Sequence, residues 1–197
     1  MKQDVLSGII LRSDKHREND ARLSLITGEG IVVAYAVGLL KPNSKLKSCL
    51  QPFNLVEITL TGTKITGATL IASGLDIAKD INRYYLACGI SSAILTVCGR
   101  ADEGIYELAV RCFVLLSKTK VSAYKIYIHF YAKLIGILGY GMHGNPKLDV
   151  LRDASAEELD KVSLTLATAK ECISILQRAY VEHLDYKLEG FCHVDVY

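Results

Sequence analysis

Two short motifs carry residue types that can bind nucleotides or catalyse a reaction. Residues 139–144 read G-x-G-x-x-G, the dinucleotide-binding fingerprint, but they follow a predicted helix, whereas that fingerprint needs a preceding strand. Cys192, His193 and Asp195 supply a thiol, an imidazole and a carboxylate, but such close neighbours in sequence orient one another poorly. The first motif therefore predicts a helix-ending loop, and the second predicts no catalytic group. We expect no enzyme, no catalytic residue and no cofactor.

The cysteine spacing gives no indication of a metal site. The six cysteines are never closer than ten residues apart. Structural zinc sites usually begin with two cysteines separated by two to four residues. We therefore expect no metal ligand, and we interpret the cysteines as small core residues in a reducing cytoplasm.

The composition is that of a folded chain with an uneven distribution of charge. Half of the 197 residues are hydrophobic and 3 are proline, which excludes a disordered or collagen-like chain. Residues 1–75 and 76–150 each carry a net charge of +3, and residues 151–197 carry −4. The longest apolar run has ten residues, so no membrane span is predicted. The first residues lack the apolar stretch of a secretion signal, and we expect a cytoplasmic protein.

Basic side chains cluster in two predicted connections of the N-terminal half. Lys15 and Arg17 lie among acidic residues in the first connection, and Lys41, Lys45 and Lys47 lie in the second. In an oligonucleotide-binding (OB) barrel, connections of this kind hold the nucleic acid strand, and cations that bind its phosphates release counterions. A solvated loop is the other interpretation, and the mixed charges of residues 14–20 leave it open.

Five short strands are predicted before residue 75. Apolar and β-branched runs are separated by turn residues, and Leu55–Thr61 alternates cleanly between apolar and polar positions. Five strands in so short a segment, with two close hairpin connections, predict a small closed barrel. The predicted strands are 5–12, 21–27, 31–37, 55–61 and 65–72.

After residue 75 the apolar spacing becomes helical. The third predicted helix is unusually apolar, so we expect it in the middle of a bundle, ending at Gly139. Ser155 and Glu158 predict a capping box, Thr168 and Glu171 a second one, and residues 140–154 a polar loop. The long helices are predicted at 76–97, 102–116, 122–138 and 166–184. The fold class is α+β, with an N-terminal OB-fold β-barrel domain (1–75) followed by a helical domain (76–197).

The third helix also suggests a protein-binding groove. Tyr124, Tyr127 and Tyr131 recur along it and are flanked by Lys125 and Lys133. An apolar groove with a basic rim would suit an acidic peptide that ends in an apolar residue. Packing of these tyrosines inside the bundle is the alternative, and both interpretations stay open at this point.

Several short motifs occur in an order that is typical of one protein family. Residues 44–53 read S-x-L-x-x-x-L-Q-P-F, and residues 18–23 read E-x-x-x-R-L. Residues 27–30 read T-x-x-G, which is similar to the family's T-x-x-x-G. Residues 134–140 are similar to L-L-x-x-L-G-Y, and residues 180–184 to Y-x-x-H-L. Through these motifs the chain resembles the RecO family of DNA recombination and repair mediators.

The resemblance implies a function in DNA repair without nucleotide hydrolysis. Members bind single- and double-stranded DNA, promote annealing of complementary strands and assist recombinase loading. The implied partners are DNA, the acidic C-terminal tail of single-stranded-DNA-binding protein, and RecR, with no membrane partner. The implied location is cytoplasmic and nucleoid-associated.

The resemblance and the connection argument together nominate the site residues. Carried over from the matching stretches, the expected phosphate contacts are Arg22, Lys41, Lys45 and Lys47. The connection argument adds Arg12, Lys15 and Arg17. The expected partner contacts on the third helix are Lys125, His129, Phe130 and Lys133.

Three stretches depart from the family pattern. Residues 141–154 contain no cysteine, so the zinc module of many members is not expected. The basic K-G-A-R-R stretch is replaced by the uncharged residues 35–40, and R-F-E is replaced by residues 129–131. The lost charge favours an alternative function, an adaptor that docks the acidic tail and has little DNA affinity. Docking would then depend on pH through His129.

Overall fold

The N-terminal part of the molecule is a closed five-strand barrel. The structure, a computed structural model, describes residues 3–97, 103–118, 121–141 and 145–189. The strands are β1 (Gln3–Lys15), β2 (Ala21–Thr27), β3 (Gly30–Ala36), β4 (Leu55–Thr61) and β5 (Lys64–Ala72). They close in the order β1-β2-β3-β5-β4, and all neighbours are antiparallel except β3 and β5, which meet at Tyr35 and Lys64.

Strand β1 closes the barrel because it pairs with two neighbours along its length. Its first half pairs with β4 and its second half with β2, with a bulge between Ile10 and Arg12. Bulges increase the local bend and twist of a strand. Where β1 changes partner, Gly8 is required, since a Cβ there would lie 2.7 Å from the carbonyl oxygen of Ile26.

The inward positions of the strands form the barrel core. This core contains Ile10, Leu23, Leu25 and Ile58, which are almost fully buried. The β3–β4 connection (residues 37–54) also contributes to it, because Leu39 and Leu50 are buried in the same cluster. The connection is therefore packed onto the barrel by its own apolar side chains.

Helices follow the barrel in the described part of the chain. They are α1 (Leu75–Ala78), α2 (Ile81–Val97), α3 (Glu103–Lys118), α4 (Ala123–Ile137), α5 (Pro146–Asp153), α6 (Ala156–Lys161) and α7 (Leu166–Leu184). The predicted fold class, α+β with an N-terminal five-strand OB-type barrel followed by helices, is confirmed. Strand β5 ends at Ala72 and α1 begins at Leu75, and the division into domains 1–75 and 76–197 stays a prediction.

Helix α4 lies in the middle of the bundle, as predicted from its composition. It packs against α2, α3, α5 and α7, and nine of its residues are buried. The hydroxyl of Tyr131 donates to Gly89 O at 2.9 Å, and the hydroxyl of Tyr180 donates to Tyr131 O at 2.9 Å. Because Tyr127 and Tyr131 are fully buried, the packing interpretation is correct for these two side chains.

Three predictions about helix ends are wrong. The helix predicted at 76–97 is interrupted before Ile81, because the carboxylate of Asp80 accepts from Asn82 N and Arg83 N. The predicted polar loop 140–154 contains α5, which Asn145 caps and Pro146 begins. Thr165, not Thr168, caps α7. The capping box of Ser155 and Glu158 is confirmed, and the predicted stop at Gly139 has its left-handed backbone, with φ of 90°.

The barrel and the bundle share one hydrophobic cluster. Ile9, Leu11, Ile26 and Phe53 from the barrel side are buried in the same cluster as the helical core. One outer face of the barrel is therefore covered by helices. Within the described residues, no helix combines the length and the apolarity that crossing a membrane requires.

Candidate nucleic-acid interface

The uncovered outer face of the barrel carries a row of polar side chains across four strands. Asp14 of β1 is opposite Arg22 of β2, Arg22 is opposite Tyr35 of β3, and Tyr35 is opposite Lys64 of β5. Directly opposed residues point to the same face of a sheet. Arg22 and Lys64 are exposed and Tyr35 is half-buried. This row is therefore accessible to solvent and is not covered by the helices.

Arg12 and His16 extend this row. Arg12 Nε donates to Asp14 Oδ1 at 2.9 Å, and both side chains remain accessible. The imidazole ring of His16 lies 4.7 Å from the ring of Tyr35, centroid to centroid. We call Arg12, His16, Arg22, Tyr35 and Lys64 the sheet surface. It combines three cations with a paired aromatic ring, the combination that single-strand-binding barrels use.

The β1–β2 connection brings two more predicted cations to one end of the barrel. Lys15 is the last residue of β1 and is opposite Ala21, an inward position, so it lies at the barrel's end and not on the sheet surface. Arg17 lies in the turn that follows, which is closed by His16 N donating to Asp20 O at 2.9 Å. Both side chains are exposed.

The β3–β4 connection starts beside this turn. Gly38 N donates to Asp20 Oδ1 at 2.8 Å, and Leu40 N donates to Asn19 O at 3.0 Å. Lys41 follows directly, and the three predicted lysines of the connection, Lys41, Lys45 and Lys47, are all exposed. These hydrogen bonds join the first basic connection to the beginning of the second.

The charge of this connection is uniform. From Gly30 to Val56 the sequence contains three lysines and no Asp or Glu. Over the ranges that the structure describes, none of the three lysines forms an ion pair. Their charges are therefore available to a polyanion, whereas Arg12 shares its charge with Asp14.

The four predicted partner contacts do not form one surface. His129 and Phe130 are fully buried, so the prediction that these two contact a partner is wrong. Lys125 is half-buried, and its ammonium donates to Asp160 O at 2.9 Å. Of these four residues, Lys133 is the one that lines the groove described next. Alternation of apolar and basic residues on one helix did not indicate which side the neighbouring helices cover.

Lys133 belongs to a groove between α3, α4 and α5. We call it the bundle groove, and its cavity volume is about 360 Å³. Three cations from three helices line it, Arg111, Lys133 and Arg152, together with the two carboxylates of Glu107 and Asp153. The guanidinium of Arg152 donates to Asp153 at 2.9 and 2.8 Å, which lowers the pKa of that carboxyl.

His129 lies in the core near this groove. Its Nδ1 donates to Leu151 O at 2.8 Å, and its Nε2 is buried with no hydrogen-bond partner among the residues that the structure describes. Burial is the main cause that lowers the pKa of His129, and the charges of Lys133 and Arg111 lower it further. Asp153 and the hydrogen bond to Leu151 act in the opposite direction. The neutral imidazole is therefore the form that the fold favours.

The comparisons with known proteins concern the barrel first. Residues 1–73 match the model of the family described as recombination protein O, N terminal. The N-terminal domain of this chain belongs to the RecO family. The family resemblance is thereby confirmed for the barrel, and a RecO N-terminal domain indicates a role in DNA recombination and repair.

A similar curated protein adds no function, because it is itself uncharacterized. It is an uncharacterized protein of Aquifex aeolicus (strain VF5), 30% identical over 102 residues. The match covers 49% of this chain and 46% of that protein. The chain therefore spans about half the length of the curated relative that it matches.

Several residues of the surfaces described above were not nominated from the sequence. Lys64 was interpreted as part of a turn, and only the parallel pairing of β3 with β5 brings it beside Tyr35. Arg111 and Arg152 are distant in sequence and meet only through helix packing. An estimate of strand register could have found Lys64, but no sequence signal relates Arg111 to Arg152.

The two motifs considered for catalysis fall partly outside the described residues. Residues 142–144 of the glycine motif and all of Cys192, His193 and Asp195 lie outside them. The described glycines follow α4, not a strand. Burial raises the pKa of the Cys112 thiol to about 12, so this thiol is not a nucleophile at neutral pH. In the described part of the chain, no cluster of three or more candidate metal ligands occurs.

Proposed function

We propose that this chain is a non-enzymatic recombination mediator that binds single- and double-stranded DNA through its barrel. The observation that carries the proposal is the acid-free β3–β4 connection with its three exposed lysines. The connection begins beside the mixed-charge turn 15–20, which contains Lys15 and Arg17. Lysines that bind phosphates release condensed counterions, which gives affinity without base recognition. Membership of the barrel in a recombination family supports DNA as the polyanion.

Annealing of complementary strands follows from the same physics. Two strands repel each other through their phosphates, and a cationic surface that holds both lowers this repulsion and raises their local concentration. No bond is made or broken, so no catalytic residue is required. Assistance to recombinase loading and pairing with RecR are part of this proposal.

The test is a charge reversal of Lys41, Lys45 and Lys47 to Glu. We expect the triple variant to lose binding of labelled single strands and duplexes in an anisotropy titration. Neutralisation of the same three lysines to Gln should reduce the slope of log affinity against log salt for single strands by about 2. Unchanged affinity and slope would contradict the proposal.

A matched control has the same change in net charge elsewhere. Lys161, Lys170 and Lys187 are exposed residues outside the barrel and its connections. Changing all three to Glu should leave DNA binding close to that of the parent protein. Circular dichroism of both triple variants establishes that each is folded.

The second candidate function is an adaptor that docks the acidic tail of single-stranded-DNA-binding protein and has little DNA affinity. The bundle groove favours it, because Arg111, Lys133 and Arg152 surround a cavity that also includes Leu108 and Ile137. A labelled acidic peptide ending in an apolar residue should bind, and Arg111→Glu with Lys133→Glu should abolish its binding. Peptide binding without oligonucleotide binding selects the adaptor.

A further inference from the structure

A second groove lies between the β3–β4 connection and the first two helices. We call it the junction groove, and its cavity volume is about 760 Å³. Such a volume lies within the usual range of small-molecule sites. Phe53, Asn54 and Gly74 are the buried part of its lining. Tyr84 is the exposed aromatic part, and Lys47 lies on its connection side. Its other polar groups are Ser44, Ser48, Gln51 and Ser73.

Tyr84 presents a fixed but accessible aromatic face. The residue is 40% exposed, and its ring meets Phe53 edge-on at 5.7 Å between centroids. Phe53 in turn stacks on Phe113 at 5.6 Å. The ring of Tyr85 meets the ring of Tyr84 edge-on as well, at 6.2 Å between centroids. An exposed ring that is held on one side loses little freedom when a planar ligand stacks on the other.

The charges around the groove favour an anionic ligand. Lys47 lines the groove, and Lys45 lies two residues before it on the acid-free connection. The nearby carboxylates are already engaged: Asp76 pairs with Lys79 at 2.7 Å, and Asp80 caps α2 and lies 3.8 Å from Arg83. The ligand therefore combines negative charge with an aromatic ring.

We propose that the junction groove holds an unpaired base of single-stranded DNA, stacked on Tyr84, while Lys45 and Lys47 bind the adjacent phosphates. The inference rests on the proposed function and adds a strand preference to it. Stacking tolerates any base, because every base has a π face, and the hydroxyl and amide groups of the lining can bond to its edges. A base inside a duplex is paired and stacked, so it cannot enter.

The first experiment compares variants of Tyr84 in anisotropy titrations. Tyr84→Leu should weaken single-strand binding roughly 5-fold to 100-fold, the loss expected for one stacked base. It should leave duplex binding and the salt slope unchanged, because no cation is removed. Tyr84→Phe is the matched control, because it keeps the ring and should keep the affinity.

The second experiment locates the base. A single strand carrying 5-iododeoxyuridine is irradiated with the protein, and the adducts are mapped by mass spectrometry. An adduct on Tyr84 supports the proposal. Adducts confined to Tyr35, with single-strand affinity unaffected by Tyr84→Leu, overturn it.

Failure of this inference is distinguishable from failure of the proposed function. If the parent protein binds both kinds of DNA but Tyr84→Leu changes neither, only the base-binding inference fails. If the parent protein binds neither kind at low salt, the proposed function and the inference fail together. Circular dichroism of Tyr84→Leu excludes loss of fold as the cause of weaker binding.

Discussion

Individual residues of the family-like S-x-L-x-x-x-L-Q-P-F stretch act in packing. Leu50 is buried in the barrel core and Phe53 in the cluster shared with the helices. Phe53 adopts a left-handed backbone, with φ of 68°, which is uncommon for a residue with a side chain. Asn54, next in sequence, donates to Ser48 O and Cys49 O and accepts from Gly74 N. The stretch that carries the resemblance therefore holds the connection in place.

Asn54 provides the first prediction. Asn54→Ala removes the partners of three backbone groups, of which Gly74 N is buried, and should lower the free energy of unfolding by about 2 to 3 kcal/mol. Chemical denaturation measures it. Asn43→Ala, at an exposed position of the same connection, should change stability by less than about 0.5 kcal/mol. Equal effects of the two variants would show that the Asn54 hydrogen bonds do not stabilise the fold.

His129 provides a prediction about pH. The unfolded chain binds a proton on this imidazole below about pH 6.5, whereas burial lowers the pKa of His129 in the folded protein. Its contribution to stability is therefore complete above pH 6.5. As the pH falls below 6.5, that contribution decreases by about 1.4 kcal/mol per pH unit until the pH reaches the pKa of His129 in the folded protein.

The test of this sign is the difference in unfolding free energy between pH 7.5 and pH 5.5. His129→Gln should show a smaller loss of stability at pH 5.5 than the parent protein does. His183→Gln, at an exposed position, should retain the parent's loss. The comparison concerns the difference between two pH values, so a uniform change in the stability of either variant does not affect it. A loss unchanged in His129→Gln would contradict the assignment.

At the scale of elements, the segment joining β5 to α1 determines how the barrel meets the helices. Gly74 N donates to the Asn54 side chain, and Gly74 lies against Phe53. A Cβ at position 74 would lie 2.7 Å from Phe53 O and 2.8 Å from Phe53 C. The segment can therefore pass Phe53 only where no side chain intervenes.

Gly74→Ala should destabilise the protein by about 1 to 3 kcal/mol, since backbone atoms must shift to admit the methyl group. Gly136→Ala is the matched control, because Gly136 lies within α4 and its added Cβ would meet nothing within 4 Å. The control should stabilise the protein by roughly 0.5 to 1 kcal/mol, the helix preference of Ala over Gly. Thermal denaturation of both variants should show shifts of opposite sign.

At the scale of the whole molecule, barrel and bundle are joined by a shared core. Ile9, Leu11 and Ile26 project from the barrel into the helical cluster, so neither part buries its apolar surface alone. The helices also leave part of the outer barrel face open, and the sheet surface lies there. The same strands thus carry buried residues that stabilise the fold and exposed residues that are available to a ligand.

Ile26→Ala tests this coupling. The truncation should lower stability by about 2 to 5 kcal/mol, and amides of β2 and of α4 should lose hydrogen-exchange protection together. Val5→Ala, at an exposed position of β1, should have little effect. Loss of protection confined to the barrel strands would show that the two parts unfold independently.

The sequence by itself determined the elements, because alternation and helical spacing are local properties of the chain. Strands β2 and β4 and helix α7 have their predicted bounds, and Ser155 caps α6 as its pattern indicates. The α5 helix was missed because its eight residues give too few apolar repeats to reveal a period. The cations of the connection could be nominated because composition alone makes that stretch basic.

Only the tertiary structure decided which of these side chains face solvent and which of them meet. His129 and Phe130 resemble rim residues in sequence, yet the helices around α4 bury them. Lys64 lies beside Tyr35 because β3 and β5 pair in parallel. Tyr84 of α2 lies beside the β3–β4 connection because its ring contacts Phe53. These are long-range relations between segments, and a local pattern contains no information about the partner against which a segment packs.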